Sequence, residues 1–522
     1  MAVSAALRAA ITRAQNADQH SEPVFSPLRG LGRGRLTPID LLGQSLSTIA
    51  PATGMVFIAL WMITYSPGYV GLAAIAATTS AVFLVAFCIT QFTRRLAAAG
   101  SLYSFVFQGS GIRATLTAGA GIRATLTAGA ALVLGYLGIS VSVFSQAVPS
   151  LLDTIAIVGP DVRGTAATVI TTVAIALAVA WIAVRGVRFA TRAILVVEAC
   201  SLILIVVVML ATHSDTTTAV ALPNPSLSAV PFLAMLTVLS MAGFESSAFF
   251  GPEAKRPLIS VTRTVLISPI ICGVLFVFAA WAAMTGHGAT IVGAYFEGTA
   301  SGASAEVVLA VKIGMTCSWF ASTLGCAQAG SRLLYSMGIE RVLPAPLARV
   351  HRRFRTPYVA VLVFVAVSAA GVFIYSDTVR DDSGSFDGVV ETALVCAYTL
   401  VAFASWKFLR RIGEHTSLTR ICTLSVSTAG AGLLVYIVLD GAVHGMWALP
   451  IAALAVVVSG TVWSALLRRA RPESLLMVGA FDSVETADLL PGAGTLLIDG
   501  DGRRRLVPDR GTVEGDSPEH GR

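Results

Sequence analysis

Lysine is almost missing from this chain: Lys255, Lys312 and Lys407 stand against 33 arginines, and charged residues of both signs make up only 12% of the 522. With 55% of the residues apolar, so little charge excludes an ordinary water-soluble globule. The seven cysteines, at 88, 200, 272, 317, 326, 396 and 422, show no CxxC spacing, which argues against a zinc site and against a disulfide framework. We read them as small core residues. No GxxxxGK[ST] phosphate loop occurs, so this chain holds no motor driven directly by ATP. It also lacks HExxH and any serine, histidine and acid set in its apolar runs, so no catalytic residue, metal ligand or cofactor is expected. None of the seven histidines lies deep in an apolar run, which removes a histidine proton relay.

What the chain has instead is long apolar runs. About 20 residues cross a bilayer as a helix, and twelve windows qualify: roughly 40–63, 68–92, 126–148, 165–184, 190–211, 229–250, 262–285, 305–331, 357–376, 388–409, 419–438 and 446–467. The predicted fold is an all-α polytopic membrane protein with twelve transmembrane helices. Arginines gather in alternate loops: Arg94, Arg95, Arg113 and Arg123 after span 2, Arg185, Arg188 and Arg192 after span 4, and Arg256 and Arg263 after span 6. The pattern continues with Arg349, Arg352 and Arg353 after span 8, Arg410 and Arg411 after span 10, and Arg468 and Arg469 after span 12. The opposite loops hold only Arg163 and Arg380. Positive loops stay in the cytoplasm, so both termini are predicted there, in a plasma membrane. The net charge of +7 then follows from topology and implies no nucleic-acid partner. The first 36 residues contain no apolar core of signal-peptide length, so no cleavage is expected. The arginine bias is that of a GC-rich bacterial genome, which would make the membrane a bacterial inner membrane.

Two spans are interrupted. Span 1, LLGQSLSTIAPATGMVFIALWMI, crowds Gln44, Ser45, Ser47, Thr48, Pro51, Thr53 and Gly54 into its middle. Pro51 has no N–H and its ring would clash with the Ser47 carbonyl, so a break is expected there. A plain proline kink with hydroxyls bonded back to their own helix is the alternative. Span 6 carries Ser240, Gly243 and Glu245 at depth, and a carboxylate at that depth marks a functional site. Interrupted spans at matching places in two halves point to a transporter binding site.

These residues resemble the amino acid, polyamine and organocation transporter superfamily, in particular bacterial amino acid permeases. The resemblance rests on GFESSAFFGPEAKRP at 243–257, on SRLLYSMGIERVLPAPLARVHRRFRTPYVAV at 331–361, and on Gly100, Ser101 and Tyr103 at the opening of span 3. It implies a five-plus-five inverted-repeat, leucine-transporter-like fold with helices 1 and 6 interrupted. It also implies a substrate site formed by Thr48, Ile49, Ala50, Thr53 and Gly54 facing Leu239, Ser240, Gly243 and Phe244. Free N–H groups at the second half of span 1 suit a carboxylate, and carbonyls released around residues 239–242 suit an ammonium group. Many relatives place an aromatic gate where this chain has Leu239, and Phe232 or Phe244 is the substitute within reach.

The expected activity is secondary transport of an amino acid or related small amine by alternating access. Glu245 and Glu198 are the candidates for proton coupling; Ser322 and Thr323 would serve a sodium site made of oxygen ligands. Uncoupled exchange, or a transporter-like sensor that binds without moving its ligand, are the rival readings. Lys312 is expected to snorkel outward from span 8. The predicted divisions are a cytoplasmic arm (1–39), a first repeat of spans 1–5 (40–211), a second of spans 6–10 (229–410), spans 11–12 (419–468) and a disordered cytoplasmic tail (469–522). Residues 111–120 and 121–130 are identical, GIRATLTAGA twice. Ten extra helical residues would rotate span 3 by about 80°, so the surplus copy is expected to bulge into the cytoplasm.

Overall fold

The computed structural model describes residues 31–32, 34–110, 118–159, 164–213, 229–375, 383–479, 495–498 and 504–507. Span 1 forms two helices, α1 (Pro38–Ile49) and α2 (Pro51–Tyr65), followed by α3 (Gly68–Thr93) and a short α4 (Leu102–Ser110). Then come α5 (Ala118–Val158), α6 (Thr165–Arg185), α7 (Val187–Ala211) and α8 (Ala229–Ser240), the last continued by a 3-10 segment at Ser246–Glu253. The second half holds α9 (Pro257–Met284), α10 (Ala289–Phe296), α11 (Ala305–Ile339), α12 (Tyr358–Ile374), α13 (Ser383–Ile412), α14 (Ser417–Val443), α15 (Ala448–Ala470) and α16 (Pro472–Met477).

Counting α1 and α2 as one span, ten helices among the described residues are long and apolar enough to cross a bilayer. The expected spans at 229–250 and 357–376 appear as shorter apolar helices, Val230–Ser240 and Tyr358–Ile374. The first is short because its helix stops at the Gly243 break; the second is a 17-residue helix. Span 3 departs the other way. α5 has 41 residues, about 60 Å at 1.5 Å per residue, so it projects well beyond the window at 126–148.

Helix starts follow local chemistry. Thr37 caps α1 in a capping box with Asp40, and Pro38 takes the first turn, where its missing N–H costs nothing. Ser304 caps α11 by accepting the Val307 N–H at 3.4 Å. The central helices are α1–α2, α5 and α13, with 72%, 72% and 78% of their most apolar stretch buried, against 17% for α14 and 22% for α6. The peripheral helices show Ile203, Val274, Val443 and Leu454 outward, the apolar surface that a lipid-facing helix presents.

The arginine-rich end is closed by buried polar contacts. Arg332 of α11 is 1% exposed and donates to both oxygens of Glu253, at 2.6 and 3.3 Å, with its guanidinium 4.0 Å from the Phe250 ring centre. The Arg35 and Leu36 amides donate to the Glu253 carbonyl at 2.9 and 3.1 Å. Tyr103 of α4 donates to Glu340, and the Gly479 amide donates to the same carboxylate at 2.6 Å.

The described residues of the tail are folded. Its first residues form α16, which docks through Ser474 on the Arg341 carbonyl at 3.0 Å. Thr495–Ile498 pairs antiparallel with Arg504–Val507 as strands β1 and β2. In the duplication, the second copy is helical and forms part of α5. The bulge expected of the first copy falls on 111–117, outside the described residues.

Candidate functional site

Both interruptions are real breaks. α1 ends where Ala50 adopts a left-handed conformation, φ 55° and ψ 62°, directly before Pro51. The Ala50 N–H still closes the first half on Leu46 and Ser47 carbonyls at 3.0 and 3.2 Å. The kink alternative is partly present as well: Ser47 and Thr48 hydroxyls bond back to the Gln44 carbonyl at 3.0 and 2.8 Å, and Thr53 to Ala50 at 2.8 Å. In span 6, α8 stops at Ser240 and Gly243 takes φ 93°, a region L side chains rarely adopt. A Cβ there would also sit 2.4 Å from Thr48 Cγ2, so the two breaks touch and only glycine fits. Around the turn, Leu239, Met241 and Gly243 carbonyls accept from Ala242, Phe244 and Ser246 at 3.0, 3.3 and 2.9 Å. Among the described residues, no backbone N–H reaches the Ser240 or Ala242 carbonyl.

A cavity of about 620 Å³ lies between the breaks, within the range of small-molecule sites. Thr48, Ile49, Ala50, Thr53, Gly54, Leu239 and Ser240 all line it, so seven of the nine predicted substrate residues meet at one surface. Gly243 and Phe244 do not. Gly243 packs on Thr48 behind the wall, and Phe244 is fully buried with its ring 5.6 Å from Tyr398. Phe232 lines the cavity, edge-on to Trp61 at 5.0 Å and Tyr65 at 5.3 Å, while Leu239 occupies the wall as an aliphatic side chain.

The predicted coupling residues sit behind this wall. Glu245 is fully buried and accepts from Tyr136 of α5 at 2.8 Å and Tyr398 of α13 at 3.0 Å. Glu198 of α7 lies against the start of α2, where Oε1 accepts from the Ala52 N–H at 3.4 Å and from Ser318 at 3.1 Å. Its Oε2 is buried without a hydrogen-bond partner. One N–H of the second half-helix is thus occupied by the protein's own carboxylate. Ser322 donates to the Thr48 carbonyl at 3.0 Å and Thr323 to its own helix at Trp319, 2.9 Å. Lys312 does not snorkel outward: it donates to Asp153 of α5 at 2.8 Å and lies 4.8 Å from the Tyr295 ring centre.

Sequence reasoning missed one wall of the cavity. Asp387 and Glu391 of α13, with Asp440 and His444 of α14, line it opposite the breaks. The span window begun at residue 388 excluded Asp387 and hid the pair's spacing of four, which puts both acids on one helix face.

A model of the amino acid permease family matches residues 44–465. The chain belongs to the amino acid permease family. Its long apolar helices make it a multi-pass membrane protein of that family. The permease resembles the branched-chain amino acid permease BcaP of Lactococcus lactis subsp. cremoris (strain MG1363), at 26% identity over 185 residues, 34% of this chain and 37% of that protein. BcaP of Bacillus subtilis (strain 168) is 26% identical over 144 residues, 26% of this chain and 30% of that protein. These matches span about a third of each relative's length. Among solved structures, the manganese transporter of Eremococcus coleocola, in complex with an aromatic bis-isothiourea substituted compound, aligns with a TM-score of 0.49 and 13% identity, over 87% of this chain and all of that one.

Proposed function

We propose that the permease moves an amino acid or related small amine across a plasma membrane by alternating access around the broken spans 1 and 6, with both termini in the cytoplasm. The observation that carries this reading is that residues of both breaks line one cavity. At the start of α2, Pro51 has no N–H, Ala52 donates to Glu198 and Gly54 to the Ala50 carbonyl, which leaves the Thr53 amide for a carboxylate, and the Ser240 and Ala242 carbonyls are available to an ammonium group. Spans 1–5 and 6–10 act as the two repeats, residues 40–211 and 229–410, since an odd number of spans reverses the second unit. The arginine-rich end is the cytoplasmic one. On that assignment the cavity, which extends past Trp61 and Phe232, faces outward, and the Arg332–Glu253 pair closes the inner side.

Proton coupling is the reading favoured for energy input. Glu198 joins span 5 to the start of α2 and keeps one oxygen free of partners. Glu245 joins span 6 to spans 3 and 10 through two tyrosines. Either acid can link a proton to the position of a broken helix. Sodium is the second reading; Ser322 and the Thr48 carbonyl would be its oxygen ligands, although the hydroxyl is donated to that carbonyl here. Purified protein in proteoliposomes tests the whole proposal. Uptake of a labelled amino acid, stimulated by an inward proton gradient, is expected; ligand stabilisation without any uptake would make the chain a sensor.

A further inference from the structure

Taking the cavity as the transport site, we propose that Asp387 and Glu391 form a second recognition subsite, for an ammonium or guanidinium group carried at the far end of the substrate. The favoured substrate is then an elongated molecule with a distal cation: a basic amino acid, or a diamine.

Glu391 carries the argument. It is 3% exposed, it lines the cavity, and its Oε1 has no hydrogen-bond partner. The other fully buried acids in the helix bundle are engaged: Glu245 by two tyrosines and Glu253 by Arg332. Glu198 spends one oxygen on Ser318 and Ala52. Asp387, one turn away on the same face, accepts from Ser142 at 3.2 Å. A third carboxylate, Asp440, borders the same space with His444 at 3.4 Å. No lysine or arginine is among the described residues lining the cavity. Two carboxylates one helical turn apart on one wall repel when both are charged, and no lysine or arginine of the described lining offsets them. The cavity also reaches Thr53 at the start of α2, whose amide is left after Ala52 donates to Glu198 and Gly54 to Ala50, so a ligand can place its carboxylate there and a distal ammonium at α13. An α-amino acid with an aliphatic side chain would leave Glu391 buried and unpaired.

The test compares lysine, norleucine and cadaverine, which differ by one group at a time: norleucine lacks the distal ammonium and cadaverine lacks the carboxylate. Thermal stabilisation of the purified full chain gives relative affinities, and competition against labelled uptake in proteoliposomes repeats the ranking. Lysine, cadaverine or both are expected to bind about tenfold or more tightly than norleucine, the scale of one hydrogen bond to a buried charge. Lysine above cadaverine identifies a basic amino acid; the reverse identifies a diamine. Glu391→Gln and Asp387→Asn are each expected to collapse the preference over norleucine. Should either variant fail to fold, judged by its ligand-free melting, the other variant and the wild-type ranking carry the test. Norleucine binding as well as both cations would overturn the subsite and leave the permease reading standing. If neither these probes nor any of the twenty amino acids binds or is taken up, the cavity is not the transport site and both readings fall.

Discussion

The Tyr136 hydroxyl, on α5, donates to one oxygen of Glu245 in the broken span 6 at 2.8 Å, and the Tyr398 hydroxyl of α13 donates to the other at 3.0 Å. This carboxylate therefore ties three spans together at one buried point, and any change in its protonation alters how they are held. Glu245→Gln is expected to abolish proton-driven uptake while folded protein remains in the membrane. Tyr136→Phe strips one oxygen of its donor and is expected to cost about 1–3 kcal/mol, read as a lower melting temperature. Unaltered pH dependence of uptake in the Gln variant would remove Glu245 from the coupling mechanism and leave Glu198.

The contact between Gly243 and Thr48 can be tested from both sides. Gly243→Ala puts a methyl group 2.4 Å from Thr48 Cγ2 at a backbone φ of 93°. Loss of ligand binding and a lower melting temperature are expected. Thr48→Ser removes the clashing methyl but not the backbone strain, so the double variant is expected to recover part of the loss. The shortfall from additivity measures the contact. Fully additive losses would mean that the strain alone accounts for the effect.

Ser322 gives the sodium question a clear reading. Its hydroxyl is already donated to Thr48, so Ser322→Ala is expected to lower stability by about 0.5–1.5 kcal/mol without changing any response to sodium. Uptake at fixed pH in sodium and in choline buffers checks this. Stimulation by sodium that disappears in both Ser322→Ala and Thr323→Ala would replace the proton reading with a cation site.

The docked tail makes a prediction about the inner end. A Cβ at Gly479 would lie 1.9 Å from the Phe107 ring, and Gly479 holds φ 65°. Gly479→Leu is expected to release the segment from Glu340 and α4. Faster trypsin cleavage after Arg469, with the bundle itself still protected, is the measurement. Equal cleavage rates would show that the helix α16 contact alone holds the tail.

Much of this architecture was legible in the sequence, for reasons that differ by element. The window at 165–184 matches α6 to a residue at its end because lipid-facing helices must be apolar all along. α5 outran its window because Arg123 and Asp153 lie on parts of the helix packed against protein or projecting past the bilayer, where hydropathy no longer marks a boundary. The Ala50 break was readable from Pro51, a local steric fact. Phe244 and the α13 acids were not. Whether a side chain faces the cavity or packs behind it depends on which neighbour closes over it, and the partners that decide this, Tyr398 and Ser142, lie more than 100 residues away in sequence.

The duplicated segment offers a deletion whose outcome is well defined, because removing either copy yields the same chain. The second copy is anchored by tight backbone packing. A Cβ at Gly129 would meet Tyr103 at 2.9 Å and Met337 at 3.0 Å, and one at Gly460 of α15 would meet the Arg123 carbonyl at 2.2 Å. Leu126 and Ala128 are fully buried. One copy therefore occupies the position that the bundle requires, and the other adds length to the connection from Ser110 of α4. Deletion joins Ser110 directly to the remaining copy, so the start of α5 is expected to unwind into a new loop while the contacts of Leu126, Ala128 and Gly129 are kept. The shortened chain is expected to insert normally and to transport at least as fast. Its melting temperature should match or exceed that of the parent, since a shorter connection costs less loop entropy on folding. Loss of transport with normal expression and melting would make the extra copy a working part of the inner gate.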